Sequence, residues 1–227
     1  KQIKDCYNFA VLKFEMKINK KDVMEFFIDI ISIALIVFIV RTFIVSPFRV
    51  SGPSMCNTLN FINERCEFGK GDIMLIDSFS YLNLGFHEIG EPENKDVVVF
   101  MLRNGSQKYL VKRIIAVEGE TLKIEDGFVY KLIDGDFQKL EEPYLNSENL
   151  DQTFLSFANS QTFTVPKDHY FLMGDNRLYS NDSRNCYYKS PTLTCSGENV
   201  DAFVHRKQIR GKASLVVFPF QNFGKIN

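Results

Sequence analysis

Apolar residues crowd one stretch near the start of the chain and recur in short runs after it. Between Phe26 and Val45, 16 of 20 residues are apolar, and a helix of that length reaches about 30 Å, the depth of a bilayer core. Ile30 to Val40 carries a single serine, while Asp29 and Arg41 stand toward the two ends, where charged groups reach the headgroups. A core helix would keep a polar face, whereas this stretch is apolar all round. The pattern predicts a transmembrane helix over 26–45. The run is too long for a cleaved signal and no small-x-small site follows before Pro47, so it reads as a retained anchor. Lys13, Lys17, Lys20 and Lys21 precede it, and only Arg49 stands in the next fifteen residues. Positive charge stays inside. Residues 1–25 are then a cytoplasmic segment of a single-pass protein of the plasma (inner) membrane, and everything after the helix lies on the extracytoplasmic face.

Beyond the anchor the pattern changes to short Val-, Ile- and Phe-rich runs broken by Gly, Asn, Asp and Pro, which predicts a mainly β, antiparallel domain. The strands expected are Phe48–Ser51, Asp72–Asp77, Asp96–Leu102, Tyr109–Glu118, Thr121–Ile124, Phe128–Leu132, His169–Met173 and Ala213–Phe218. From Thr121 the chain becomes polar and turn-rich as far as Val165, with Asp126-Gly127 and Asp134-Gly135 placed for tight hairpins. Residues 121–165 are therefore expected to form a small inserted β subdomain, in a larger β domain built from 46–120 and 166–227.

Composition narrows the function. Lys and Arg number 27 against 28 Asp and Glu, so no global field recruits nucleic acid. The 22 Phe and nine Tyr favour strands, and with only 13 Gly there is no Walker or dinucleotide fingerprint. Of five cysteines, Cys6 falls on the cytoplasmic side. Cys56, Cys66, Cys186 and Cys195 fall outside, where oxidation is permitted and three pairings are open; Cys186 and Cys195 bracket a loop containing Ser190-Pro191 and could form a local disulfide. Without a Cys-x-x-Cys, and with three scattered histidines, no metal site is expected.

Three segments carry candidate chemistry. Phe48-Arg49-Val50-Ser51-Gly52-Pro53-Ser54-Met55-Cys56 is a strand running into a turn at a serine. Such a serine can be an exposed nucleophile, although Ser in a Gly-Pro turn commonly serves backbone geometry. In Tyr109-Leu110-Val111-Lys112-Arg113-Ile114-Ile115-Ala116, period-two alternation puts Lys112 on one face with Leu110, Ile114 and Ala116. Apolar surroundings depress a lysine pKa and make its amine a competent base; a solvated edge-strand lysine is the plainer reading. Arg113 points the other way and needs anionic partners. Met173-Gly174-Asp175-Asn176-Arg177-Leu178-Tyr179-Ser180-Asn181-Asp182-Ser183-Arg184 can supply them, although it also reads as a solvated polar loop.

Together these boxes, with Arg41-Thr42-Phe43-Ile44, Gly71-Asp72-Ile73-Met74 and Gly211-Lys212-Ala213, resemble the type I signal peptidases, membrane-anchored serine proteases with a Ser-Lys dyad. The likeness covers nearly all of the external chain except about residues 121–165, 60–70 and 186–206. It implies Ser54 as nucleophile, Lys112 as base and Ser180 as the group that orients the lysine amine. Asp175 and Asp182 become charge partners for Arg113 and Arg184. Gly52 stands where many members carry a serine that helps the oxyanion, and Asn57 replaces the usual proline. Substrate would pair with the backbone near Phe48–Ser51 and Tyr109–Lys112, against Phe48, Val50, Met55, Leu59, Leu110 and Val111. The implied partners are signal-peptide-bearing pre-proteins cleaved after Ala-x-Ala-like sites, the lipid bilayer and the export machinery, with no cofactor.

Other readings stay open at this point. A LexA-like self-cleaving peptidase shares the dyad, and an inactive relative would merely bind exported chains. No Ser-x-x-Lys tetrad of a penicillin-binding protein occurs, and His87, His169 and His205 sit in no hydrolase motif.

Overall fold

The computed structural model describes residues 19–41, 45–56, 58–63, 65–66, 69, 71–81, 90–102, 108–156, 158–187, 195 and 200–226. The segment through Ile18 with Lys13 and Lys17, Thr42–Ile44, Asn57, His87 and Ser190-Pro191 lie outside them. The chain divides after Val40 into two units.

The described residues of the first unit form the helix α1 (Lys20–Ile39), whose N-cap Asn19 accepts from the Lys21 N–H and whose first turn carries Asp22. None of its side chains is buried. The span expected over 26–45 is corrected on two points. The helix starts earlier and ends at Ile39, and Val45 is already the first residue of a strand, paired with Asp77. With Asp22, Glu25 and Asp29 inside it, no helix among the described residues is long and apolar enough to cross a membrane.

The second unit is built of antiparallel strands. They are β1 (Val45–Arg49), β2 (Phe61–Ile62), β3 (Arg65–Cys66), β4 (Ile73–Asp77), β5 (Val97–Met101), β6 (Tyr109–Ala116), β7 (Thr121–Glu125), β8 (Phe128–Ile133), β9 (Asp136–Lys139), β10 (Ser160–Thr164), β11 (His169–Met173), β12 (Val204–His205), β13 (Ile209–Phe218) and β14 (Gly224–Lys225). The large sheet runs β1-β4-β13-β5-β6-β11-β12, with β14 added to β13. Its middle strand β5, Val97-Val98-Val99-Phe100, is buried on both faces, which is why it reads as a continuous apolar run rather than an alternating one. Val97 and Val99 join one core cluster with Val50, Met55, Leu59 and Val111; Val98 and Phe100 join another with Ile114, Leu172 and Val204.

Between β6 and β11 the register slips: Phe171 faces Ala116 while Leu172 faces Ile114. The extra residue, Ile115, is a β-bulge that reverses the alternation. Ala116 therefore leaves the face shared by Leu110 and Ile114 and enters a third cluster with Ile115.

That third cluster joins the large sheet to a small one, β10-β7-β8-β9. Both expected Asp-Gly turns connect its strands, with positive φ at Asp126, Gly127, Asp134 and Gly135, as a two-residue hairpin requires. At Gly127 a Cβ would fall 2.0 Å from the Asp151 carbonyl, so a side chain there would displace the backbone opposite. Phe163 of the small sheet stacks on Phe171 of the large one, ring centroids 4.8 Å apart and both fully buried. Losing one such ring costs about 3–5 kcal/mol.

Candidate active site

Past β1 the chain is fixed by Val50, whose N–H donates to the Asp72 carbonyl at 2.8 Å, and turns through Gly52 at φ +94°. Ser54 follows, half-buried. Met55 and Leu59, each 1% exposed, pin the far side of the turn into the core, and Leu59 N–H closes on the Met55 carbonyl. Buried Asn60, at φ +62°, locks it further. Its amide donates to the Gly52 carbonyl, its Oδ1 accepts from Asp72 N–H, and its own N–H donates to Asp72 Oδ2 at 2.7 Å. Gly71 allows this close approach: a Cβ there would lie 2.1 Å from Asn60 Oδ1 and 2.4 Å from the Val50 carbonyl.

Lys112 comes from β6, opposite Val98. Its Nζ lies 2.6 Å from Ser54 Oγ and donates at 3.0 Å to the Val111 carbonyl. The residue is buried, 3% exposed. Loss of hydration pushes its pKa down to about 8, against the pull of Asp182 and Asp175 and with a further push from Arg184.

Arg113, the next residue, faces the other way. Its Nε and Nη2 grip Asp175 at 2.9 and 2.7 Å, its Nη1 donates to the Lys95 carbonyl, and its guanidinium lies over the Tyr144 ring at 4.1 Å. Thr58, in the serine turn, donates its hydroxyl to the same Asp175. Arg184 grips Asp182 at 2.9 and 3.0 Å. Burial, the largest influence, would raise the Asp182 carboxyl, but Arg184 together with the Gly174 N–H and the nearby Ser180 hydroxyl outweighs it and holds this carboxyl below its ordinary range. Arg177 completes the loop, holding the Gly174 carbonyl at 3.1 Å and pairing with Glu142 of the small-sheet segment through both terminal nitrogens.

Gly174 lies where the loop meets the serine turn. A Cβ there would come within 2.3 Å of both the Ser54 carbonyl and Ser180 Oγ. Ser180 is thus near the dyad and close enough to Asp182 to favour its ionised form, yet its buried hydroxyl makes no well-formed hydrogen bond to Lys112 or to any other group among the described residues. Of the residues expected to meet substrate, Val50, Met55, Leu59 and Val111 are core, at 1–6% exposure, with Phe48 packed against them; Leu110 packs on the opposite face of the sheet. The rings of Phe48 on β1 and Tyr109 at the start of β6 meet edge to face, centroids 6.0 Å apart, beside a hollow of about 120 Å³ lined also by Pro47 and Val99.

The cysteines pair as Cys56–Cys66 and Cys186–Cys195. His169 and His205 meet edge to face across β11 and β12, ring centroids 4.8 Å apart. Thr58, Asn60, Glu142, Tyr144 and Arg177 were not singled out by sequence reasoning. Arg177 stood inside the quoted loop, whereas Glu142 and Tyr144 belong to the segment set aside as an insert.

Residues 23–218 match the family model described as signal peptidase, peptidase S26. Signal peptidase I S of Bacillus subtilis is 31% identical over 95% of this chain and all of its own length. Signal peptidase IB of Staphylococcus aureus is 31% identical over 90% of this chain and 94% of its own. Signal peptidase I of Pseudomonas aeruginosa is 30% identical over 88% and 74%. The chain belongs to the signal peptidase family, peptidase S26, whose members are serine endopeptidases that remove signal peptides.

Proposed function

We propose that Ser54 is the nucleophile and neutral Lys112 the general base of a protease that cleaves exported pre-proteins after Ala-x-Ala-like sites. The observation that carries this is the 2.6 Å contact between a serine oxygen and a buried amine whose pKa falls to about 8. Ser54 Oγ attacks the scissile carbonyl as its proton passes to Lys112, and backbone N–H groups of the Gly52–Ser54 turn stabilise the oxyanion. Lys112 then protonates the leaving amine and activates water against the acyl-enzyme. Ser180, whose hydroxyl lies near Asp182 and makes no well-formed hydrogen bond among the described residues, accepts from the ammonium once Lys112 holds the extra proton. Asp175 and Asp182 hold the loop through Arg113 and Arg184 and do not react.

An extended peptide would run between the ends of β1 and β6, near Phe48 and Tyr109. The apolar run that begins at Phe26 holds the protein at the membrane, N-terminus inside, so that the catalytic unit works at the outer face of the inner membrane beside the export machinery. Residues 121–165 act as an insert within the catalytic domain.

The test is processing of a pre-protein carrying Ala-x-Ala by the full chain in detergent, beside Ser54→Ala, Lys112→Ala and Lys112→Arg. All three variants should fail, the last because arginine stays charged. Equal processing by all four proteins refutes the dyad.

A further inference from the structure

The two halves of the dyad are held differently. Lys112 rises from an eight-residue strand paired on both sides. Ser54 sits in an irregular turn, so the turn is where alignment can be lost. One covalent bond reaches that turn: Cys56, two residues past Ser54 and fully buried, is joined to Cys66 with their Cα atoms 5.7 Å apart. Cys66 belongs to β3, which among the described residues pairs with β2 alone, in a hairpin of two-residue strands that belongs to neither larger sheet. Such a ribbon does not hold itself. A second tie is Asn222, which donates both to the Phe61 carbonyl and to Asp72, the residue that locks Asn60. The hairpin thus bridges the serine turn to the Asn60–Asp72 lock, on a path separate from the Thr58–Asp175 bond.

We infer that the Cys56–Cys66 disulfide is a positioning element for catalysis, holding Ser54 Oγ in register with Lys112 rather than holding the fold. Its reduction takes two electrons and two protons from a dithiol, which leaves as its cyclic disulfide, and frees two thiols. The core clusters stay intact, and the turn is then held only by non-covalent contacts. A nucleophile misplaced by about 1 Å costs up to a hundredfold in rate. This inference rests on Ser54 as the nucleophile.

The experiment uses the full chain in detergent with Cys6→Ser, Cys186→Ala and Cys195→Ala, which leaves one disulfide. Cleavage of an Ala-x-Ala peptide is followed before reduction by dithiothreitol, after it, and after reoxidation with glutathione disulfide. Reduction should lower kcat at least tenfold, leave KM within twofold and leave the pH midpoint unchanged, and reoxidation should restore the rate. The Cys56→Ala/Cys66→Ala variant, which keeps Cys186–Cys195, should show the same kcat loss. Unchanged kcat in both proteins overturns the inference, and so does a loss that tracks the far-UV dichroism, since the bond would then be holding the fold. A Ser54→Ala control that still cleaves overturns the nucleophile assignment itself, whatever reduction does.

Discussion

Replacing Lys112 by methionine isolates the cost of placing an amine in the core beside Ser54. Methionine has similar length and no charge, so it fills the same space. A solvated lysine titrates near 10.5, whereas this one titrates at about 8, and that difference corresponds to about 3 kcal/mol. The sign follows from proton counting. Between pH 8 and 10.5 the unfolded chain keeps its proton while the folded protein has released it, so stability rises with pH across that window and is flat for this residue outside it. Below pH 8 the folded protein carries the full penalty of the buried ammonium. Methionine removes the penalty along with two hydrogen bonds, to Ser54 and to the Val111 carbonyl, which are worth about 1–3 kcal/mol together. The variant should be inactive, of equal or slightly higher stability than the parent at pH 7, and about 1–3 kcal/mol less stable than the parent at pH 10.5, a swing of about 3 kcal/mol between the two. Denaturant unfolding of both proteins at pH 7, 8, 9 and 10 measures the difference. A gap that stays constant over this range refutes the reasoning, because it would mean that Lys112 titrates alike in both states.

Three further outcomes follow from the same geometry. Because the neutral amine is the working form, kcat/KM should rise about tenfold from pH 7 to pH 9 and then level, as read by initial rates on a peptide substrate; a profile falling over that interval contradicts an amine base. Asp175→Asn leaves the Arg113 guanidinium, 1% exposed at its side chain, facing a neutral amide, and should cost about 3–5 kcal/mol in denaturant unfolding. Ser180→Ala removes a buried hydroxyl without a well-formed hydrogen bond, so stability should hold or rise by about 1 kcal/mol, while kcat falls about tenfold through loss of the acceptor for the charged lysine.

Local periodicity carried much of this into the sequence. Alternation along Tyr109–Ala116 separates Lys112 from Arg113, and in the structure one meets Ser54 and the other Asp175. It failed at Ala116 because a bulge depends on the pairing partner, and β11 lies over fifty residues further on. The strand ending in Arg49 was placed late, since Val45 is apolar enough to continue a helix and only its pairing with Asp77 makes it a strand. Short strands such as β2, β3, β12 and β14 carry no period of their own. Met55 and Leu59 read as surface for a substrate through the family resemblance alone, and burial in the sheet's core cluster is a tertiary fact. The Asn60–Asp72 exchange left only a faint trace in Gly71, whose missing Cβ makes room for it.

The grip of Arg177 on Glu142 bears on any attempt to make a smaller enzyme. Trimming away the hairpins between Thr121 and Thr164 looks harmless on a topology diagram, because β6 and β11 are neighbours without them. The excision would strand a guanidinium with no exposed surface beneath the Gly174 peptide and uncover Phe171. A shortened protease would therefore need Arg177 redesigned together with its lost counter-ion before it could fold around the same chemistry.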